Sequence, residues 1–315
     1  MSSLPKKILI TDVAGFIGSN LADMLLKNGH DVVGIDNLSY GIREQVPAGV
    51  EFHELDIRSR DIYPVFEGVD YVFHLAAKNC IADCQADPVE TADINVAGTA
   101  NVFEAADRAR VKKVIYAESS AVYEGIKKLP AAESRIAPES FYAISKAAEA
   151  MFADAYHRFR GMTFTALRYF GVYGPRQDYR RSIPPLPSAF IMKLLKGESA
   201  TIYGAGDKRR DIIHVDDINA FHMLCLADPR TDNQTFNLGN GKSYSVREMY
   251  DIVSRVLGTT KEVVTKPDLP GEAFATLADI SKARSIGWEP KIPLEKGIEG
   301  VVAYIKDEFA KGRVK

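Results

Sequence analysis

The sequence predicts an α/β fold, a doubly wound parallel sheet followed by a smaller C-terminal α/β region. Three observations predict it. Short β-branched runs alternate with helix-length amphipathic segments through the first half of the 315 residues. The helical segments are long enough for right-handed crossovers, which build parallel sheets covered on both faces. A glycine-bearing turn joins the first apolar run to the first amphipathic segment.

Taken in order, Lys7-Ile-Leu-Ile-Thr11 is the first strand, and the helix after the turn ends at Lys27, before Asn28-Gly29. Residues 32–35 form the second strand, closed by Asp36, with the third at 50–55 and the fourth at 71–75. A helical pattern from 89 to 108 leads to a fifth strand at 114–117. Residues 141–160 read as a helix and 163–167 as the sixth strand. After residue 170 the texture changes, with turn signals in Tyr173-Gly-Pro-Arg176 and Ile183-Pro-Pro-Leu-Pro187. The expected division is therefore 1–170 and 171–315, with 211–230 a candidate for return to the main sheet.

Composition narrows the class. With 46% hydrophobic residues the chain can bury a large core. A net charge of −2 supplies no basic field for nucleic acid. The longest apolar runs are too short to span a bilayer, and Met1-Ser-Ser-Leu-Pro-Lys-Lys7 leads into a strand without an apolar leader. Three cysteines argue against a disulfide framework. The expectation is a cytoplasmic protein with neither membrane nor nucleic acid as partner, and no metal site.

Two segments carry chemistry. In Thr11-Asp-Val-Ala-Gly-Phe-Ile-Gly18, Gly15 lets the backbone approach a pyrophosphate and Gly18 lets the helix pack close to the sheet. The helix N-terminus directs free N–H groups at the phosphates. Asp36, about twenty residues on, is placed to accept hydrogen bonds from an adenosine ribose and to repel a 2′-phosphate, favouring NAD. In Tyr142-Ala-Ile-Ser-Lys146 a phenol and an ammonium share a helix face. The lysine charge should draw the tyrosine pKa down from ~10 towards the range of a general base. Ser119-Ser120 lies upstream, at the end of an apolar run.

These motifs, with Gly34-Ile-Asp-Asn-Leu38, His74-Leu-Ala-Ala77, Asn95-Val-Ala-Gly-Thr99, Ser119-Ser-Ala-Val-Tyr123, Arg168-Tyr-Phe170 and Val172-Tyr-Gly-Pro-Arg-Gln177, resemble the extended short-chain dehydrogenase/reductases. That family includes NAD-dependent nucleotide-sugar epimerases and dehydratases, and the resemblance is greatest to UDP-glucose/UDP-galactose 4-epimerases. It implies that 1–170 is a Rossmann-type NAD-binding domain and 171–315 a nucleotide-sugar-binding domain. It implies Ser119, Tyr142 and Lys146 as catalytic residues. Gly15, Phe16, Ile17, Gly18, Asp36, Asn37, Asp56, Ile57, Leu75, Ala76, Ala77, Asn95 and Phe170 would line the cofactor with Tyr142 and Lys146. Ser119 and Arg210 match substrate-binding positions, and Lys78 and Asn79, just after the cofactor-lining alanines, are candidates for substrate contact. The resemblance further implies a homodimer, built from the helix after Val89 and the Tyr142 helix.

Family dehydratases carry two acids after the residue matching Ser119. Here Ser120-Ala121 carries none, so the expected reaction is reversible oxidation at one sugar carbon, a 4-epimerisation through a 4-keto intermediate. The chain also departs from the family. Asp12 replaces the first glycine of the turn, Gly171 an asparagine, and Leu269-Pro-Gly-Glu272 an arginine-bearing pattern, while Glu124 follows Tyr123 where a glycine is usual. A carboxylate ~4 Å from a pyrophosphate would cost roughly 1–4 kcal/mol, although aspartate tolerates left-handed backbone angles. These departures leave open two alternatives: another reductase, epimerase or dehydratase of this family, and a non-catalytic NAD-binding protein. Cys80 and Cys84 read as small pocket residues, Cys225, His74 and His214 as structural, and Lys208-Arg209-Arg210 as a diphosphate clamp.

Overall fold

The computed structural model describes residues 5–181, 184–268 and 273–313. The strands are β1 (Lys7–Thr11), β2 (Asp31–Asp36), β3 (Glu51–Glu54), β4 (Tyr71–His74), β5 (Lys113–Ser119) and β6 (Phe164–Tyr169) in the first half. There follow β7 (Gly171–Tyr173), β8 (Thr201–Tyr203), β9 (Arg209–His214), β10 (Gln234–Leu238), β11 (Ser243–Ser245) and β12 (Val264–Lys266). The helices are α1 (Phe16–Lys27), α2 (Ile81–Ala86), α3 (Pro88–Ala92), α4 (Thr99–Arg108) and α5 (Phe141–Arg160). After them come α6 (Leu186–Leu195), α7 (Val215–Ala227), α8 (Val246–Leu257), α9 (Ser281–Ser285) and α10 (Leu294–Ala310).

The chain forms two compact units. The first comprises residues 1–128, 132–169 and 219–237 and holds the large sheet, ordered β10-β6-β5-β4-β1-β2-β3. From β3 to β6 every pairing is parallel, as the crossover helices require. Strand order reverses between β1 and β4, the switch point at which doubly wound sheets hold their ligands. Leu9, Val72, Val114 and Phe103 are completely buried in its core.

The second unit comprises residues 129–131, 170–218 and 238–315. Its sheet is β11-β9-β7, antiparallel on one side and parallel on the other, with β12 and β8 forming a separate parallel pair. The core of this unit packs Ile191, Met249, Val253 and Ile298 from α6, α8 and α10. The segment that returns to the large sheet is thus β10, whereas β9, at 209–214, stays in the small one. Both strands bury their apolar side chains, Phe236 and Leu238 in β10 and Ile212 and Ile213 in β9. No helix among the described residues is long and apolar enough to cross a membrane.

The single helix expected over 89–108 is instead α3, a π-helical turn at Asp93–Gly98, and α4. The completely buried Asn95 side chain sits in that turn. Its amide accepts from the Lys78 backbone N–H at 2.8 Å and donates to the Lys78 carbonyl at 3.0 Å and the Ser145 hydroxyl at 2.9 Å. The widened turn delivers this side chain, a common use of π-bulges.

Candidate active site

The glycine turn lies between β1 and α1. Asp12 has φ 63°, left-handed as aspartate permits, and its carbonyl accepts the Gly15 N–H at 3.1 Å. A Cβ on Gly15 would sit 2.3 Å from the Asp12 carboxylate oxygens, and one on Gly18 2.1 Å from the Asp12 carbonyl. Only glycine fits against the backbone at Gly18, whereas a side chain at Gly15 would displace the Asp12 carboxylate. Phe16 and Ile17 open α1, and N–H groups of a first turn lack intrahelical acceptors. The turn is therefore a bare, backbone-lined cradle that suits a pyrophosphate, except that the Asp12 carboxylate lies against it.

Asp36, 6% exposed at the end of β2, accepts from Ala14 N–H at 3.0 Å and Leu38 N–H at 2.8 Å. Burial nevertheless pushes its pKa up. Asn37 donates to Asp56 at 2.9 Å, and Arg58 forks onto Asp56 at 2.9 and 2.7 Å, holding that carboxyl well below the usual range. Ile57 packs where a Cβ on Gly98 would collide with it. Asp36, Asn37, Asp56 and Ile57 thus line one end of the strand edge, as an adenosine site would need.

Thr11 accepts at its hydroxyl from the Leu75 and Ala76 N–H groups, 3.0 and 3.1 Å away. Its own proton therefore goes to His74 Nδ1 at 2.8 Å, and His74 Nε2–H donates to Thr99 at 2.8 Å. Burial lowers the His74 pKa to about 3, which makes it a neutral tether for the Leu75-Ala76-Ala77 segment. The ammonium of Lys78, 6% exposed, pairs with Glu90 at 2.5 Å, and Asn79 is exposed. Cys84 donates to the Lys78 carbonyl at 3.4 Å, and all three cysteines are free. No metal-binding cluster occurs among the described residues.

Ser119 ends β5, where its hydroxyl accepts from Ala121 N–H at 3.1 Å and lies near enough to the Tyr142 phenol to draw its pKa down. Tyr142 and Lys146 are 9% and 3% exposed on the inner face of α5. Lys146 donates to the Ala117 carbonyl at 2.9 Å and meets Glu149 at 3.0 Å. The net shift of the Tyr142 pKa corrects the sequence expectation. Burial raises it, outweighing the lowering by Lys146 and by Ser119, and Glu149 raises it further.

Three supports of this site escaped the sequence reading. Glu124 caps the start of α5, accepting from Ser140 N–H at 2.7 Å, the Ser140 hydroxyl at 2.9 Å and Glu139 N–H at 3.2 Å. Arg168 binds Glu118 and also donates to the Tyr123 hydroxyl at 2.9 Å. Glu149 is the third, and its i,i+3 spacing from Lys146 was available as a signal.

Phe170 and Arg210 belong to the second unit. Phe170 is buried, and its N–H donates to the Leu238 carbonyl at 3.0 Å. Arg210 donates to the Arg209 and Phe274 carbonyls at 2.9 and 3.3 Å. Lys208 pairs with Asp268 at 2.8 Å and Arg209 with Glu248 at 3.1 Å, so the basic cluster is largely neutralised within its own unit. A Cβ on Gly171 would lie 2.9 Å from Ile212 Cγ2 and 3.0 Å from the Asp211 carbonyl. Glycine there is what β7 needs to lie against β9. His214 packs edge-on against Tyr173, a structural position. Residues Leu269–Glu272 lie outside the described residues.

The chain is similar to known proteins along nearly its whole length. A putative UDP-glucose 4-epimerase of Methanocaldococcus jannaschii is 36% identical over 304 residues, covering 95% of this chain and 98% of that protein. The crystal structure of a UDP-glucose 4-epimerase from Thermotoga maritima with UDP-glucose is 34% identical, with a TM-score of 0.92 over 96% of this chain and 99% of that one. A UDP-N-acetylglucosamine 4-epimerase from Methanobrevibacter ruminantium, in complex with UDP-N-acetylmuramic acid, is 32% identical with a TM-score of 0.92, covering 96% of this chain and 99% of that one. Residues 8–239 match the NAD dependent epimerase/dehydratase family, and the chain belongs to it.

Proposed function

We propose that the protein is an NAD-dependent nucleotide-sugar 4-epimerase of the UDP-hexose class, with Tyr142 as its base. The observation that carries this reading is the buried Tyr142 phenol with Lys146 one turn along α5 and Ser119 near enough to lower its pKa, in the same unit as the Gly15 turn. Gly15, Phe16, Ile17 and Gly18 would hold the pyrophosphate, Asp36 and Asn37 the adenosine ribose, and Asp56 and Ile57 the adenine. Leu75, Ala76, Ala77 and Asn95 would line the channel, with Tyr142, Lys146 and Phe170 at the nicotinamide end. When bound, the nicotinamide supplies a reversible hydride acceptor for C4 of the sugar.

The side chains supply the proton path. Tyr142 would take the C4 hydroxyl proton and later return it, while the Ser119 hydroxyl orients the same oxygen. Lys146 favours the phenolate by charge, and the cationic ring of an oxidised nicotinamide, when bound, would add to that effect. Both oppose the burial that holds the phenol protonated in the free protein. Ser120 and Ala121 offer no acid for water elimination. That favours 4-epimerisation over dehydration. Arg210, Lys78 and Asn79 are proposed substrate contacts, although the Lys78 charge is committed to Glu90 in this conformation.

A homodimer is the expected assembly. Phe141, Ile144, Met151 and Phe152 on α5 and Val89 on α3 are exposed apolar side chains of the first unit, Met151 at 69% and Val89 at 79%. Three unpaired thiols suit a cytoplasmic setting. Proton NMR of the protein mixed with UDP-glucose, UDP-galactose, their N-acetyl counterparts and UDP-glucuronate, with and without NAD, tests the reading. Interconversion of one 4-epimer pair is expected. No conversion of any of them, with NAD bound, would move the reading to another nucleotide sugar or to a non-catalytic role.

A further inference from the structure

Glu149 is a buried carboxylate that the reaction as described does not use. It is 1% exposed, one turn beyond Lys146 on the same face of α5, and 3.0 Å from its ammonium. A buried ammonium without an anion tends to lose its proton, and this carboxylate is the anion beside Lys146. We propose that Glu149 is a positioning residue of the reaction, the counter-ion that keeps Lys146 charged and sets the pH range in which Tyr142 and Lys146 work together. The proposal rests on the epimerase reading for its kinetic consequence and on geometry for the rest.

The electrostatic surroundings are closed. Glu118 on β5 reaches Glu149 but is itself bound by Arg168 from β6. Tyr116 on β5 and Tyr142 on α5 feel the Glu149 charge, and both are pushed upward by it. His74 on β4 is neutral, and Cys84 on α2 is a buried thiol whose pKa is raised. The charged side chains on α3 and α4 are engaged elsewhere, Glu90 with Lys78, Glu104 with Arg108 and Asp107 with Arg160. Burial raises the Glu149 carboxyl itself to about 7 despite the neighbouring ammonium. The acid therefore acts in two ways: it holds the proton on Lys146 and it opposes loss of the proton from Tyr142. Removing its charge lowers both pKa values together.

The test is the pH profile of kcat for Glu149→Gln beside the parent enzyme loaded with NAD. Both limbs should move to lower pH by about one unit or more, and Glu149→Asp should restore the parent profile. A uniform drop in kcat with unmoved limbs would overturn the proposal, because a packing role alone leaves the profile in place. Carbon NMR of the full-length parent, labelled at glutamate carboxyl and tyrosine ring carbons, needs neither substrate nor a folded variant. Tyr142 should show an inflection at the Glu149 midpoint, and that midpoint should lie well above those of exposed glutamates. An ordinary midpoint with no inflection would overturn the proposal even in an active epimerase, whereas an inactive protein that shows the inflection would overturn only the epimerase reading.

Discussion

Tyr142 shows what local spacing reveals and what it leaves out. The i,i+4 pairing with Lys146 and the upstream Ser119 are legible in sequence because helix geometry and strand ends fix where such side chains point. The direction of the phenol's pKa is not legible, because it depends on how completely the fold removes water from the ring. Tyr142→Phe should lower turnover by at least about 100-fold while leaving NAD bound, read by steady-state kinetics and by cofactor content. Persisting turnover would remove Tyr142 as the base. Asp12 is the opposite case, plain in the sequence as an acid in a phosphate turn. The structure adds that its backbone is left-handed and its carboxylate lies against Gly15. Asp12→Gly should tighten NAD about tenfold or more, since even ~1.4 kcal/mol of removed repulsion is a tenfold change. A titration showing equal or weaker binding would mean that the turn has adapted to the acid.

Helix α5 buries the proposed Tyr142–Lys146 pair and exposes Phe141, Ile144, Met151 and Phe152. Ser140 caps it, accepting from Ala143 N–H at 3.1 Å, and Gly161 ends it at φ 72°. The helix and its bounds were readable from periodicity. The clamp by Glu124 was not, because it joins residues 16 apart across a loop. Glu124→Ala should cost about 1 kcal/mol of stability and lower kcat more than it changes cofactor affinity. Thermal melts and kinetics with NAD titration would show this. The interrupted α3–α4 segment was unreadable for a similar reason: Asn95 answers to Lys78 and Ser145, which lie far off in sequence. On the outer face, Met151→Arg should convert a dimer into a monomer in sedimentation velocity. A parent protein that is already monomeric would remove the proposed interface.

The whole molecule carries buried carboxyls whose pKa values are raised, Asp36 and Glu149 in one unit and Asp211 and Asp217 in the other. Asp211, completely buried, accepts three backbone N–H groups yet is pushed up to about 6 by desolvation. A raised carboxyl binds its proton more tightly in the folded state. Its contribution therefore falls as pH rises from the unfolded to the folded pKa, by roughly 3 kcal/mol for a two-unit shift. Asp56, Asp279 and Glu308 are lowered, so what they contribute is lost as pH falls below their unfolded values. Burial also lowers His74 and His222 to about 3, so their contribution is lost as pH falls below about 6.5 and opposes the carboxyls. The Asp211 share is isolated by Asp211→Asn, whose urea stability relative to the parent should rise as pH goes from about 4 to 6. A difference between variant and parent that does not change across that window would show Asp211 to be better solvated than its burial implies. At this scale the large sheet was legible from strand and helix periods. The division into units was less so, because the return of 219–237 depends on which apolar strand finds the edge of the large sheet.

The most direct measurement follows C4 of the sugar itself. UDP-glucose deuterated at C4 would be incubated with the NAD-loaded protein in ordinary water and the products read by NMR. Reversible C4 oxidation with Tyr142 handling only the hydroxyl proton predicts UDP-galactose that keeps its C4 deuterium. Washout of the label to solvent, or a product changed at C5 or C6 rather than C4, would contradict it.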